Sequence, residues 1–325
     1  MAVEAPISQP EFLDAARALY IDGVTAEVVT RLDDAGIPAI VLKGPSIARW
    51  LYPAGGRTYA DTDLLVPPAE FARAGDVLRS LGFRELLGGF DPHEWAPDGE
   101  TSFLKARTPD DPLGGKIDLH RNLPGLPADD DVLWRAFAER CEPLALGGVR
   151  VQVLNRVGLA LHIVVHALQH GFGSHTDEDL RRAIDALPLD GWRQAVALGE
   201  RLGVAPDVVG TALRRHPEGA ALADRLGLGA QTLSGTPYFW SGAGVPRGAQ
   251  TLSQLRKATT GRERARIVRW TLLPSPAKVR YSSWQGAARE RSLAVDYLRY
   301  WCSLVKLLRP AVRFSVNGER ARPAP

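Results

Sequence analysis

Cysteine and long apolar runs are scarce in this 325-residue chain. Cys141 and Cys302 are its only cysteines, which argues against a disulfide framework and fits a reducing compartment. No stretch supplies the roughly 20 apolar residues that a membrane-spanning helix needs. The first residues, Met-Ala-Val-Glu-Ala-Pro, have no basic segment followed by an apolar one, so they do not resemble a signal peptide. We therefore expect a cytoplasmic protein without a membrane span.

Acidic residues are scarce at the C-terminal end, although the net charge of the whole chain is only +3. Residues 251–325 contain 16 Lys/Arg and 4 Asp/Glu, a balance of +12, whereas residues 1–250 have a balance of −9. A basic block of this kind could bind RNA, an acidic lipid surface or an acidic partner. It could equally be a set of helices with arginines facing solvent. The sequence leaves these alternatives open.

Hydrophobic periodicity in the first half of the chain indicates a mixture of helices and strands. Glycine and proline pairs punctuate it into short elements. The predicted elements are helices over 10–35, from about residue 46 to 52 and near 68–81, and strands over 37–42, 57–66, 101–107 and 116–120.

From about residue 154 the pattern is helical. The predicted helices cover 155–171, 176–187, 191–203, 206–227, 251–270 and 287–309, and residues 228–250 are predicted to form a loop or linker. The fold class is therefore α+β. We expect an α/β domain over 1–150, a mainly helical region over 151–318 and a disordered tail over 319–325.

Two aspartates in the predicted strand 57–66 are the most informative feature of the chain. Residues two apart on a strand face the same side, so Asp61 and Asp63 present their carboxylates together. Two ionised carboxylates at this spacing repel each other unless a cation lies between them. A hard divalent ion such as Mg²⁺ suits the pair and would also hold phosphate oxygens. An isolated Asp-x-Asp is common in turns, so other segments have to support this interpretation.

Two other segments do support it. Lys43-Gly44-Pro45-Ser46 joins an apolar strand to a helix, and such a turn offers backbone N–H groups and a positive dipole end to phosphate. Lys43 adds a positive charge and Ser46 a hydroxyl. Asp118 lies between apolar neighbours on the strand 116–120. It could complete a metal site and act as the base for an attacking hydroxyl.

Together these segments resemble the nucleotidyltransferase domain of the DNA polymerase β superfamily. The residues that carry the resemblance are Val41-Leu42-Lys43-Gly44-Pro45-Ser46 and Arg57-Thr58-Tyr59-Ala60-Asp61-Thr62-Asp63-Leu64-Leu65-Val66. The chain is most similar to a little-characterised bacterial nucleotidyltransferase family that also has a later Asp-Leu-His strand, which Asp118-Leu119-His120 matches. The resemblance extends more weakly into the helical half. Members of that family often lie beside genes for peptide natural products.

The resemblance implies a polymerase β-like catalytic domain with a small mixed sheet over 1–150, and a helical acceptor or cleft-closing region over 151–318. The carboxylates that it implies as catalytic, and as ligands of Mg²⁺ or Mn²⁺, are Asp61, Asp63 and Asp118. The residues that it implies for nucleotide binding are Lys43, Gly44, Ser46 and Arg57. Arg57 could instead brace the carboxylates. Pro45 departs from the glycine-serine turn of the superfamily and removes one backbone donor.

Histidines supply further candidates. His120 shares a strand face with Asp118, where a packed or hydrogen-bonded role is favoured over a catalytic one; His93 and His120 are candidates for the acceptor pocket. His162, His166 and His170 recur on one helix face. The first pair has zinc-ligand spacing, but the Glu of a zinc signature is missing and no Cys or acidic ligand is nearby in sequence. Structural histidines at a domain interface are therefore the favoured interpretation.

The sequence thus predicts a metal-dependent nucleotidyltransferase that moves an NMP from an NTP, ATP among the candidates, to a hydroxyl or other nucleophile and releases pyrophosphate. The acceptor is unidentified, and a peptide natural product or a small molecule fits the resemblance. One alternative is an RNA-modifying nucleotidyltransferase of the toxin type, which would bind RNA through the basic C-terminal region. The other is a catalytically inactive binding protein that retains the fold.

Overall fold

Most of the chain can be described from a computed structural model. The described residues are 9–85, 100–105, 115–123, 125–170, 172–230, 255, 260–276, 279 and 292–317. Most of the predicted loop at 228–250, the predicted tail at 319–325 and His93 lie outside these ranges.

Helices and short strands alternate in the first half, as predicted. Their order is α1 (Gln9–Asp34), β1 (Ile40–Val41), α2 (Pro45–Leu51), β2 (Thr62–Leu65), a 3₁₀ turn (Pro68–Glu70), α3 (Phe71–Ser80), β3 (Arg84–Glu85), β4 (Glu100–Lys105) and β5 (Gly115–His120). The two strands that carry Asp63 and Asp118 are therefore present, and both are flanked by helices or further strands.

A helix and a hairpin that the sequence analysis did not predict follow β5. They are α4 (Asp130–Ala138), β6 (Cys141–Leu146) and β7 (Val149–Leu154). Gly147 and Gly148 form the turn of the hairpin with φ of 54° and 85°, values that favour glycine. β7 continues the sheet beyond residue 150, the predicted end of the first domain. The division of the chain into domains stays a prediction.

Within the described residues, seven strands form one mixed sheet in the order β3-β4-β5-β2-β1-β7-β6. β2 lies at its centre, parallel to β5 and antiparallel to β1, and β1 is parallel to β7. The β2–β5 register places Asp63 opposite Asp118. The predicted carboxylates therefore lie in the middle of the sheet and not at its edge.

The sheet has an apolar core on each face, because successive residues of a strand point to opposite sides. Ile40 and Leu65 belong to the core that the helices of the second half complete, whereas Val41 and Leu64 belong to the core beneath α1 and α3. All residues of β1 and β2 are buried. Coverage on both faces explains the apolar residues of both strands. Asp63 is a charged residue that is buried among them.

The second half is helical, as predicted. Its helices are α5 (Arg156–Gln169), α6 (Ser174–Ala186), α7 (Leu189–Arg201), α8 (Pro206–Leu213), α9 (Pro217–Arg225), α10 (Gly261–Leu272) and α11 (Leu293–Asn317). The prediction of a single helix over 206–227 is wrong. Pro217 has no N–H with which to continue α8, and it occupies the first turn of α9 instead. The predicted α+β class, a mixed sheet followed by helices, is confirmed.

Aromatic side chains of α11 hold it against the end of α10 and the residues that follow. Tyr297, Tyr300 and Trp301 each donate a hydrogen bond to a backbone carbonyl within residues 271–274, at 2.6–3.0 Å. Among the helices of the described ranges, none is long and apolar enough to cross a membrane.

Candidate active site

Two adjacent strands bring the three predicted aspartates together. Asp63 and Asp118 face each other across the β2–β5 pair, and Asp61 precedes Asp63 by two residues. Asp63 and Asp118 are buried, with 4% and 6% of their surface exposed, while Asp61 is partly exposed. Buried carboxylates need charged or hydrogen-bonding partners. The partners of these three define the site.

Asp63 is held by Lys43 and His120. Lys43 Nζ lies 3.2 Å from Asp63 Oδ1, and His120 Nε2 lies 3.1 Å from the same oxygen. An ionised carboxylate only accepts hydrogen bonds, so His120 donates from Nε2. Burial by itself would raise the pKa of Asp63, but the charge of Lys43 and the His120 hydrogen bond outweigh it and hold the pKa well below its usual value. Asp63 is therefore an anion at neutral pH.

Lys43 is kept charged by the same arrangement. Burial would lower the pKa of this lysine, but the charges of Asp63 and Asp61 outweigh burial and raise the pKa above its usual value. The lysine of the predicted phosphate-binding turn is thus a partly buried cation that is paired with one of the predicted catalytic carboxylates.

Lys116 lies between the other two carboxylates. Its Nζ is 3.0 Å from Asp61 Oδ2 and 2.6 Å from Asp118 Oδ2. Burial would lower the pKa of Lys116, but the hydrogen bond to Asp118 and the charges of both carboxylates raise it above its usual value. The contacts show that Asp61 and Asp118 face the same small volume.

The chemistry of these groups fits a hard divalent cation. Carboxylate oxygens are the ligands that Mg²⁺ and Mn²⁺ prefer, and Asp61, Asp63 and Asp118 supply them from neighbouring strands. Within the part of the chain that the structure describes, no three His, Cys, Asp or Glu side chains surround a common metal position as they stand. A cation bound by both Asp61 and Asp118 would compete with Lys116 for their oxygens.

The predicted phosphate-binding turn connects β1 to α2. Gly44 has φ 75° and ψ −105°, a conformation that glycine adopts far more readily than other residues. Pro45 begins α2, where a missing N–H is tolerated. Ser46 is buried, and its hydroxyl faces the Leu42 carbonyl at 3.5 Å. The turn leads from a strand into a helix, as the sequence predicted, and the contact of Ser46 with nucleotide stays a prediction.

Arg57 pairs with the helical half of the chain. Its Nε and Nη2 donate to Asp179 Oδ1 and Oδ2 on α6, at 2.9 and 2.7 Å. The Tyr52 hydroxyl donates to the same carboxylate at 2.7 Å. Asp179 is only 1% exposed. Arg57 therefore ties the segment before Asp61 to α6, and its predicted contact with the nucleotide is not tested by this arrangement.

Tyr59 anchors the same segment to α1. Its hydroxyl donates to Asp22 Oδ1 at 2.6 Å, and its ring lies 3.5 Å from the position that a Cβ on Gly44 would occupy. The segment that leads into Asp61 is thus fixed from two sides, by α6 through Arg57 and by α1 through Tyr59.

The three histidines of α5 form a row close to Lys43. The His162 and His166 rings stack with 5.8 Å between centroids, and the His166 and His170 rings meet edge to face at 4.2 Å. Burial, and next the charge of Lys43, lower the pKa of His162 to about 3 and also lower the pKa of His166 and His170. The row is therefore uncharged at neutral pH. His162 is buried, His166 is partly buried and His170 is exposed.

The comparisons with known proteins agree with the geometry. A family model described as an uncharacterised nucleotidyltransferase matches residues 3–213, more than half of the chain. The chain belongs to this nucleotidyltransferase family. The matched range includes both strands of the carboxylate site and the helices α5 to α8. The predicted resemblance to nucleotidyltransferases is thereby confirmed.

The solved structures that match this nucleotidyltransferase are distant from it in sequence. The antibiotic-resistance factor ANT(2'')-Ia in solution is 17% identical, over 57% of this chain and 91% of that one, with a TM-score of 0.38. A crystal structure of ANT(2'')-Ia in complex with adenylyl-2''-tobramycin is also 17% identical, over 55% of this chain and 97% of that one, with a TM-score of 0.38. An antigenic nucleotidyltransferase-like protein from Paracoccidioides brasiliensis is 14% identical, over 70% of this chain and 97% of that one, with a TM-score of 0.38. Among proteins with curated descriptions, none matches. The family match alone carries the assignment.

Sequence reasoning missed two residues that the structure brings into the site or next to it. Lys116 precedes Asp118 by two residues, so its position on the same strand face was a signal that could have been used. Asp179 lies more than a hundred residues from Arg57 on a helix with other acidic side chains, and no local pattern distinguishes it. His93 lies outside the described residues, and His120 is buried and hydrogen-bonded to Asp63. The acceptor-pocket roles of both histidines stay predictions.

Proposed function

We propose that this nucleotidyltransferase moves an NMP from an NTP to a hydroxyl or other nucleophile on a small-molecule or peptide acceptor, with release of pyrophosphate. The acceptor oxygen would form a bond to the α-phosphorus, and the bond from that phosphorus to the bridging oxygen of pyrophosphate would break. The observation that carries the proposal is a set of three carboxylates at two parallel strands, with Asp63 on β2 opposite Asp118 on β5 and Asp61 just before β2. A family match of the same class supports it.

Asp61, Asp63 and Asp118 would hold Mg²⁺ or Mn²⁺. Bound there, the cation would neutralise triphosphate oxygens and stabilise the charge that develops in the transition state. Asp63 is suited to this role because Lys43 and His120 keep it ionised. Their contacts also fix the direction of its carboxylate, which orients the site before any substrate enters.

Lys43 and the turn that follows it would bind the phosphates. Lys43 is charged and lies beside the carboxylates, so it can contribute to the attraction of a triphosphate toward them. Gly44 lets the backbone approach closely because it has no side chain, while Pro45 offers no N–H. We propose that Lys43, Gly44 and Ser46 contact the nucleotide, and that Arg57 acts by holding the segment before Asp61 in place.

Asp118 would take the proton from the attacking hydroxyl. It is buried next to Asp61 and Asp63 and lies on the strand that ends at His120. A general base of this kind contributes about 10²–10⁴-fold to rate. The helical region over 151–318 would close over the site and contact the acceptor, and the reaction would take place in the cytoplasm.

The test is transfer of label from each of four α-³²P-labelled NTPs with Mg²⁺ or Mn²⁺, using the full chain and small-molecule, peptide and tRNA fractions as acceptors. We expect transfer by the wild type and a loss of about 10²–10⁴-fold in Asp118→Asn. Asp61→Asn should also lose activity. Asp190→Asn is the matched control, because Asp190 is 83% exposed on α7 and far from the site in sequence. Equal transfer by wild type and Asp118→Asn would overturn the assignment of that residue.

The second candidate is an RNA acceptor. Arg262, Arg264, Arg266 and Arg269 are all exposed on α10, and a surface of this charge attracts phosphate backbones. Binding of tRNA that weakens steeply with salt, and label in the tRNA fraction, would favour this acceptor. Absence of any Mg-NTP binding by calorimetry would instead favour a non-catalytic protein that retains the fold.

A further inference from the structure

The Lys116 ammonium lies where an enzyme of the proposed kind would bind a metal ion. Its ammonium donates to Asp61 and to Asp118, at 3.0 and 2.6 Å. These are two of the three carboxylates proposed as metal ligands. Because Lys116 and Asp118 lie two residues apart on β5, their side chains leave the sheet on the same face, and the contact follows from the strand itself.

The charges at the site put the Lys116 ammonium in competition with a divalent cation. Asp61, Asp63 and Asp118 with Lys43 and Lys116 have a combined charge of −1, and the nearby histidines of α5 are neutral. A divalent cation at Asp61 and Asp118 would approach an ammonium group within a few ångströms, and like charges that close repel each other strongly at low dielectric. The two cations cannot both keep the same carboxylate oxygens.

The two lysines differ in their freedom to move. The Lys43 side chain is 23% exposed and that of its partner Asp63 is 5% exposed. The Lys116 side chain is 35% exposed and Asp61 is 34% exposed. Lys116 therefore has room to swing toward solvent and toward a ligand that enters from that side, whereas Lys43 stays with Asp63.

We propose that Lys116 is an internal counter-cation, which holds Asp61 and Asp118 until a divalent metal displaces it and then pairs with a phosphate group of the nucleotide. The proposal rests on the function proposed above and specifies how the site is regulated. It implies that the metal alone binds weakly, because it has to break the Lys116 contacts. It also implies that the nucleotide strengthens metal binding by giving Lys116 a new anionic partner, and such coupling is reciprocal.

The test measures Mn²⁺ binding to the full-length protein without nucleotide, from the decrease of the free Mn²⁺ signal in electron paramagnetic resonance. Lys116→Met removes the charge and keeps a flexible chain of similar length. We expect it to bind Mn²⁺ tighter than wild type by on the order of tenfold, within the usual range of coupling between two sites. Lys116→Arg, which keeps the charge, should bind like wild type. Lys306→Met, on the exposed surface of α11, should also bind like wild type.

Thermal unfolding provides the second readout and separates the proposal from a purely structural ion pair. Without metal, Lys116→Met should unfold at a lower temperature than wild type, since its carboxylates lose their counter-cation, and Mn²⁺ should restore more of its stability than it adds to wild type. A structural ion pair predicts lower stability that Mn²⁺ does not restore. Lys116→Gln serves as the second neutral variant if Lys116→Met does not fold.

The outcomes distinguish this proposal from the proposed function. Mn²⁺ affinity that is unchanged or weaker in both neutral variants overturns the role of Lys116, whether or not nucleotidyl transfer is observed. Tighter Mn²⁺ binding that disappears when Asp118→Asn is added supports it. If that pattern is found and no nucleotidyl transfer occurs, the proposed reaction fails and the counter-cation role stands.

Discussion

Arg57 and Asp179 form a two-pronged ion pair between the segment that leads into the carboxylate site and helix α6. The two hydrogen bonds are 2.9 and 2.7 Å long; the Asp179 side chain is buried, at 2% exposed, and the Arg57 side chain is partly buried, at 13% exposed. Arg182 stacks over the ring of Tyr52, which donates to the same carboxylate. The position of Asp61 thus depends on a helix that lies more than a hundred residues further along the chain.

We expect Arg57→Ala to destabilise the protein by about 3–5 kcal/mol, because it leaves the Asp179 carboxylate buried without its cation. Arg57→Lys should recover only part of the loss, since a lysine cannot make both hydrogen bonds. The measurement is urea unfolding followed by circular dichroism. Arg181→Ala is the control on α6, the helix that carries Asp179. The ion pair between Arg181 and Glu178 is exposed and should contribute about 0–1 kcal/mol. Equal losses in both variants would contradict the argument.

Gly44→Ala should lower both stability and nucleotide affinity. With φ 75° and ψ −105°, Gly44 has a backbone conformation that costs an L-residue about 1–3 kcal/mol, although the space for the methyl group is sufficient, with Tyr59 at 3.5 Å. Gly23→Ala, in the middle of α1 with no atom within 4 Å of the new methyl, should be neutral or stabilising. Unfolding curves and NTP titrations by calorimetry measure both effects. A Gly44→Ala protein as stable as wild type would refute the backbone argument.

The position of the site could be predicted from the sequence because its signals are local. Asp61 and Asp63 lie two residues apart at the start of β2, and Asp118 interrupts an apolar strand, so periodicity alone points to them. Helices α5 to α7 were predicted for the same reason. The helix break before Pro217 was not, because the apolar periodicity continues across it and only the missing N–H of the proline indicates the break.

The remaining parts of the site depend on contacts between distant segments. That Asp63 lies opposite Asp118 follows from the pairing of β2 with β5, and the hairpin β6–β7 next to β1 follows from the whole sheet order. Asp179 and Asp22 look like ordinary acidic residues of helices until Arg57 and Tyr59 reach them. Tertiary pairing of this kind leaves no periodic trace in either segment.

Asp63→Asn should destabilise the protein far more than Asp61→Asn. Loss of the Asp63 charge leaves the partly buried Lys43 without its nearest anion, at a cost of about 3–5 kcal/mol, whereas the more exposed Asp61–Lys116 contact contributes about 0–1 kcal/mol. The pKa of Asp63 is lowered in the folded state, so its stabilising effect is complete above the unfolded pKa of 3.8 and is lost as the pH falls below it. Urea unfolding at pH 7 and at pH 3 tests this. The difference between wild type and Asp63→Asn should shrink at the lower pH, and a difference independent of pH would contradict the charge argument.

The histidine row of α5 should make the protein sensitive to mild acid. His162 is neutral in the fold because burial, followed by the charge of Lys43, lowers its pKa from 6.5 to about 3. The unfolded chain therefore binds a proton that the folded chain excludes, between about pH 6.5 and pH 3. The stability that His162 contributes is complete above pH 6.5 and falls through that window by about 1.4 kcal/mol per pH unit.

We expect urea unfolding to show a steeper loss of stability between pH 7 and pH 5 in the wild type than in His162→Gln, which has no titrating ring. The groups that act on His162 include Lys43, Asp63, His120 and His170, and the net effect of their charges is to oppose its protonation. His175→Gln is the control, since His175 is exposed at the start of α6; it should retain the wild-type slope. If His162→Gln and wild type lose stability in parallel, the neutral state of His162 does not contribute to folding, and the acid sensitivity has to come from the other buried groups of the site.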